Sequence, residues 1–144
     1  MAVASGRVGH VLIERGQVID KGMSSTASQD IAEVRRFAAR RIELLRPDII
    51  VTERLPNDSK KGLKTRMVIT AMTAEAEASE PPSLVVERVR RTHNRFEEAA
   101  QLCRVYPEMQ ILLPRKRKPW ESEPKALIYF EALALIEAGF AQLT

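Results

Sequence analysis

Two hydrophobic periodicities alternate along the chain. His10-Val-Leu-Ile13 and Gln17-Val-Ile19 are short apolar runs on either side of Glu14-Arg-Gly16, and from Val8 to Met23 they predict a β-hairpin with a glycine in its turn. The spacing then changes. Ile31, Val34, Ala38, Ile42 and Leu45 recur every three or four residues behind Thr26-Ala-Ser-Gln29, which has capping-box spacing, and they predict a helix that Pro47 ends. Asp48-Ile-Ile-Val-Thr-Glu53 is β-branched and apolar on both faces, the pattern of a central parallel strand covered on each side. After the polar Pro56-Asn-Asp-Ser59, a helical segment carries Leu63, Met67 and Met72 and stops at Pro81-Pro82. Ser83 to Val89 predicts a strand, and Asn94-Arg-Phe-Glu97 has capping-box logic for a helix to about Arg104. A loop follows through Tyr106-Pro-Glu-Met109 to Pro114 and Pro119. The last helix has Pro124 in its first turn with Glu123 near its cap, is apolar from Ala126 to Ile136 except at Glu131, and closes at Gly139.

The order strand, strand, helix, strand, helix, strand, helix, helix predicts one α/β domain over residues 1–144, with a mixed sheet, an antiparallel hairpin leading into parallel strands, and helices on its faces. At 144 residues, with 44% hydrophobic and 29% charged residues, the chain is long and apolar enough for one core. One cysteine, Cys103, excludes an intrachain disulfide and a Cys-x-x-Cys site, in keeping with a reducing cytoplasm. The first residues lack the pattern of a signal peptide, and no apolar run is long enough to span a bilayer, so no membrane partner is expected. Gly-rich phosphate loops, Gly-x-Ser-x-Gly elbows and His-Glu-x-x-His helices are also missing from the sequence.

Two carboxylates stand where structure alone supplies no reason for them: Glu53 ends a buried strand, and Glu131 sits in an apolar helix. A carboxylate in a low dielectric must be paired, neutralised or bound to a metal. Taken singly, each is best read as half of a salt bridge; taken together, they offer the hard oxygen ligands of a Mg²⁺ site with positions left for phosphate and water. Basic residues fall into three groups. Lys60, Lys61, Lys64 and Arg66 start a helix, Arg90 and Arg91 follow a strand, and Arg115, Lys116, Arg117 and Lys118 lie in a proline-flanked loop beside Trp120. Cations at a helix N-terminus oppose its dipole but suit a bound phosphate, so the first group points to nucleic acid; solvated surface charge is the plainer reading of all three. A net charge of +4, from 23 Lys and Arg against 19 Asp and Glu, permits a polyanionic partner. His10 and His93 have no ligand-spaced neighbours and read as ordinary polar or packed residues, and Trp120 as a packing anchor.

The placement of these acids resembles the RuvC-like Holliday-junction resolvases of the ribonuclease-H-like superfamily. Arg46-Pro-Asp-Ile-Ile-Val-Thr-Glu53 looks like that family's central strand with its glutamate, Tyr129-Phe-Glu-Ala-Leu-Ala-Leu135 is similar to its closing helix, and Arg7-Val-Gly-His-Val-Leu-Ile13 resembles its second strand. The resemblance implies a ribonuclease-H-like fold and a structure-specific DNA endonuclease acting in recombination. It also implies Mg²⁺ or Mn²⁺ held by Glu53 and Glu131 as catalytic ligands, branched DNA as the partner, and a homodimer for paired cuts, to whose interface Leu63, Met67 and Met72 could belong. Two positions depart from the family's pattern. Its first-strand aspartate falls near Ala2, where the sequence predicts neither strand nor acid, and its further helix acid falls at Ile128. Glu123 is a poor replacement, lying about 12 Å along the helix from Glu131. Three readings stay open, in this order: a chain begun downstream of a complete first strand, a non-catalytic homologue that binds branched nucleic acid, and a site completed by another acid.

Overall fold

The computed structural model describes residues 1–4, 6–87, 94–115 and 124–143. Arg7–Glu14 (β2) and Gln17–Ser24 (β3) form the expected hairpin. Its turn residues Arg15 and Gly16 both have positive φ, at 53° and 77°, the two-residue geometry whose twist matches that of the flanking strands. A bulge between Leu12 and Ile13 shifts the register, so that Leu12 faces Asp20 and Ile13 faces Val18.

Ala2–Ala4 form a strand (β1) that the sequence pattern did not predict. Three residues are too few for a periodicity to show; what holds them is pairing with β2, Ala2 opposite Gly9 and Val3 opposite Val8. Ile50–Glu53 (β4) and Ser83–Val86 (β5) pair in parallel, Ile50 opposite Ser83 and Glu53 opposite Val86. The structure is thus a mixed α/β fold with a three-stranded antiparallel sheet, β1-β2-β3, and a separate two-stranded parallel sheet, in place of the single mixed sheet expected. A hydrogen bond from the Met1 nitrogen to the Val51 carbonyl, at 2.8 Å, links the two.

Helix α1 spans Ile31–Leu45. Its cap is Asp30, whose carboxylate accepts from the Ala32 N–H at 2.9 Å, and not Thr26; the capping-box tetrad instead forms a separate 3-10 turn, Ala27–Gln29. Arg46, at φ 47°, ends the helix before Pro47. Helix α2 is Leu63–Glu77 and buries Val68, Ile69, Ala71, Met72 and Ala76, while Leu63 and Met67 face solvent. Helix α3, Arg95–Val105, is capped as expected by Asn94, which accepts from the Glu97 N–H at 2.9 Å. The loop at Tyr106 is a 3-10 turn, Pro107–Leu112. Helix α4 runs from Leu127 to Leu143, past Gly139, and Glu123 lies outside the described residues.

Side chains of β1 alternate between two cores, as the pleat requires. Ala2 joins α3, α4 and Val86 on one side; Met1 and Val3 join α1, α2 and Ile50 on the other. Helix α4 is buried on nearly all sides because it crosses both sheets and α3. Glycines make the crossings close: a Cβ at Gly9 would lie 2.7 Å from Ile128 Cγ1, and one at Gly139 would lie 3.3 Å from Leu84 Cδ2 and 3.4 Å from Val51 Cγ2. Gly139 therefore serves packing inside the helix and does not terminate it.

Two predictions follow from this packing. Gly9→Ala should lower stability in urea by about 1–3 kcal/mol through overpacking against the Ile128 γ carbons, and Ile128→Ala, which removes them, should cost less in the Gly9→Ala background than in the unaltered chain. With a free α-amine at Met1, burial pushes that group from 8.0 down to about 5 against an upward pull from Glu53. The unfolded chain then binds the proton that the folded one rejects. Stability should rise from about pH 5 to pH 8, a slope that Nα-acetylation removes in denaturation measured across pH.

Candidate functional site

Strand β4 carries Glu53 at its carboxyl end, where the chain leaves the parallel pair for the segment that leads to α2, the end of a strand at which α/β sheets generally bind ligands. The Glu53 side chain is only 12% exposed, with Lys61 Nζ 4.0 Å from its Oε2. Its backbone carbonyl accepts from Thr73 Oγ1 at 3.1 Å, which fastens the strand end to α2. Arg54 extends outward to Glu87 at 3.7 Å.

The segment between β4 and α2 is shaped by its own hydrogen bonds. Ser59 donates its N–H to the Pro56 carbonyl at 3.0 Å, and Lys61 donates its N–H to Ser59 Oγ at 3.3 Å. Arg66 reaches back from the first turn of α2 and donates to the carbonyls of Lys61, at 3.1 Å, and Ser59. Of the four basic residues expected to meet phosphate here, Arg66 is thus engaged in bracing the loop. Lys60 and Lys64 are exposed, Lys61 is 39% exposed, and Lys64 Nζ donates to Gln29 Oε1 at 2.9 Å. The cap of α2 is Gly62, which brings no side chain to the orphan N–H groups, and the first turn contains no acid. Both the backbone and the lysines therefore present positive potential at this end.

Glu131 projects from α4 and is 6% exposed. Arg95, the first residue of α3, donates from Nε to its Oε1 at 2.6 Å. The sequence offered one sign of this partner: an arginine at the start of a helix is disfavoured by the dipole, so a carboxylate nearby is to be expected. Reading Arg95 only as part of the cap motif missed it. Burying a guanidinium and a carboxylate together avoids the cost of a lone buried charge, the plainer of the two roles considered for Glu131.

The two positions where the family resemblance implies further acids come together in space, and both are apolar. Ala2 is paired with Gly9, Ile128 is seated on that same Gly9, each is 2% exposed, and both belong to the core beneath α4. Among the described residues no three of His, Cys, Asp and Glu gather in an arrangement that could hold a metal ion. Arg115 is exposed; Arg90, Arg91, Lys116, Arg117 and Lys118, with His93 and Trp120, lie outside the described residues. His10 is packed as expected, 3% exposed, its Nε2 2.7 Å from Asp20 Oδ2. Met72 is core, which leaves Leu63 and Met67 as the exposed apolar side chains of the three considered for an interface. None of the described helices is long and apolar enough to cross a membrane.

Comparison of the chain with known protein families, with curated proteins and with solved structures finds no match.

The Arg95–Glu131 pair makes an asymmetric prediction. Arg95→Ala should cost about 2–4 kcal/mol in chemical denaturation by leaving Glu131 buried without that partner, whereas Arg95→Met with Glu131→Leu should be nearly neutral.

Proposed function

We propose that the chain is a nucleic-acid-binding domain on a ribonuclease-H-like arrangement, holding phosphates at the carboxyl end of β4 with Lys60, Lys61 and Lys64 and leaving the strand uncut. The observation that carries this reading is the pairing of both candidate ligands with bases, Glu131 with Arg95 and Glu53 with Lys61, beside apolar Ala2 and Ile128. A guanidinium 2.6 Å from a carboxylate supplies the positive charge that a divalent ion would otherwise bring. In this reading Glu53 and Glu131 are structural acids, retained without the oxygen ligands that two-metal hydrolysis needs.

The bond from Met1 to Val51 supports the ribonuclease-H-like arrangement, because it joins the residue before β1 to β4, the two strands that would be neighbours in a single mixed sheet. Branched DNA is the partner class, following the resemblance to resolvases. Three lysines around an uncapped helix start contact phosphates and not base edges, so binding should depend on shape and salt more than on sequence.

The test is binding of a labelled four-way junction, and of a duplex of equal length, over a range of salt, with Mg²⁺ or Mn²⁺ added to detect cutting. Affinity should fall steeply with salt, with neither DNA cut. Lys60→Ala with Lys64→Ala, which leaves the Lys61–Glu53 pair intact, should weaken binding and reduce the slope of log K against log salt by about 1.8, that is ~0.9 per phosphate contact. Cleavage that disappears in Glu53→Gln would overturn the reading in favour of a metal-dependent endonuclease, with Glu53 as a ligand. Failure to bind either DNA at low salt would overturn the reading.

A further inference from the structure

The opposite end of β4 opens on a cavity of about 480 Å³ enclosed by α1, β2 and the last turns of α4, within the ~300–1,000 Å³ range of small-molecule sites. Ile42, Ile50, Val51, Ile136, Phe140 and Leu143 form its apolar wall. Into this wall is set one partly buried cation, Arg41. Its guanidinium carbon stands 4.9 Å from the centroid of the Phe37 ring, and no carboxylate among the described residues is within ion-pair distance of it.

The surroundings of Arg41 are built to keep it so. Gly22 leaves the space that Arg41 and His10 share: a Cβ there would lie 2.7 Å from His10 Cε1 and 3.1 Å from Arg41 Cζ. Asp20 on β3 is engaged by His10 Nε2 at 2.7 Å, and His10 Nδ1 is buried without a partner. Burial holds the imidazole below its ordinary pKa, so Arg41 is the fixed charge of this wall near neutral pH. The remaining charged residues at the cavity, Glu14, Arg46 and Asp48, are exposed at its mouth and solvated.

We propose that this cavity binds a small organic anion with an apolar body, such as a medium-chain carboxylate, its head paired with Arg41 and its chain laid along Ile42, Ile136 and Phe140. A planar guanidinium stacked on an aromatic ring is pre-organised for two parallel bonds to a carboxylate, and a partly desolvated cation gains more from such a partner than a solvated one does. The apolar wall rewards an alkyl body and offers a cationic head nothing. This site is independent of the nucleic-acid reading, since Ile50 and Glu53 stand at opposite ends of β4.

The experiment is calorimetric titration of the full chain with octanoate, octan-1-ol and octylamine, together with amide chemical-shift mapping of the unaltered protein. Octanoate should bind one to one, at least tenfold more tightly than the alcohol or the amine, and shift the amides of Ile50, Ile136 and Phe140. Arg41→Gln should weaken octanoate at least tenfold without changing octan-1-ol, and Arg41→Lys, which keeps the charge but loses the stacked, two-pronged guanidinium, should fall between the unaltered chain and Arg41→Gln. Equal binding of octan-1-ol and octanoate, absence of octanoate binding at millimolar concentration, or shifts confined to residues 60–64 would each overturn the proposal. So would unchanged octanoate affinity in Arg41→Gln; if that variant does not fold, the ligand series and the shift map decide on the unaltered chain.

Discussion

Helix α4 lies against both sheets at once, and the close approach that allows this depends on two missing side chains. At Gly9 the helix presses Ile128 onto β2, and at Gly139 it settles on Val51 and Leu84. Backbone bonding between the two sheets is slight, represented by the bond from Met1 to Val51, so the helices packed across both of them, α4 on one face and α2 on the other, make them one body. Apolar burial of this kind is non-directional, but close packing is not, and a single methyl group at either crossing would separate layers that are otherwise in contact.

The same helix fixes the electrostatics of the candidate site. Because α4 is buried almost all round, Glu131 has no route to water and must find its counter-charge within the fold, and the first turn of α3 delivers it as Arg95. Glu53 is in a milder position at a strand end, where Lys61 can approach while remaining partly in solvent. The two positions at which the resemblance to resolvases implies further acids are held by Ala2 and Ile128, which meet at Gly9 and serve the α4 crossing.

Strand β4 consequently has two chemically different ends. Its carboxyl end faces lysines and a helix start without a side-chain cap; its amino end faces an apolar cavity in which Arg41 is the partly buried guanidinium. Charges at the first are exposed and screened by solvent, whereas Arg41 sits in a reduced dielectric, where short-range pairing is stronger.

Much of the fold was legible in the chain because local rules suffice for it. The positive-φ turn at Arg15-Gly16, the periodic face of α1, the apolar run of α4, the cap at Asn94 and the strand at Ile50–Glu53 each follow from residue types a few positions apart. Thr26-Ala-Ser-Gln29 misled because a cap motif states only that a turn begins, and Asp30 lay one turn further on with a better acceptor. Strand β1 is too short for a periodicity to show, while the parallel pairing of β4 with β5, the Arg95–Glu131 pair and the Arg41 cavity join residues distant in sequence, and no local pattern encodes which of them meet. The sequence alone determined the element types, the unusual placement of Glu53 and Glu131, and the basic character of the α2 start. The tertiary structure decided that those acids are matched with bases and that the neighbouring positions are dry, because burial and partnership are properties of packed layers and not of spacing along a chain.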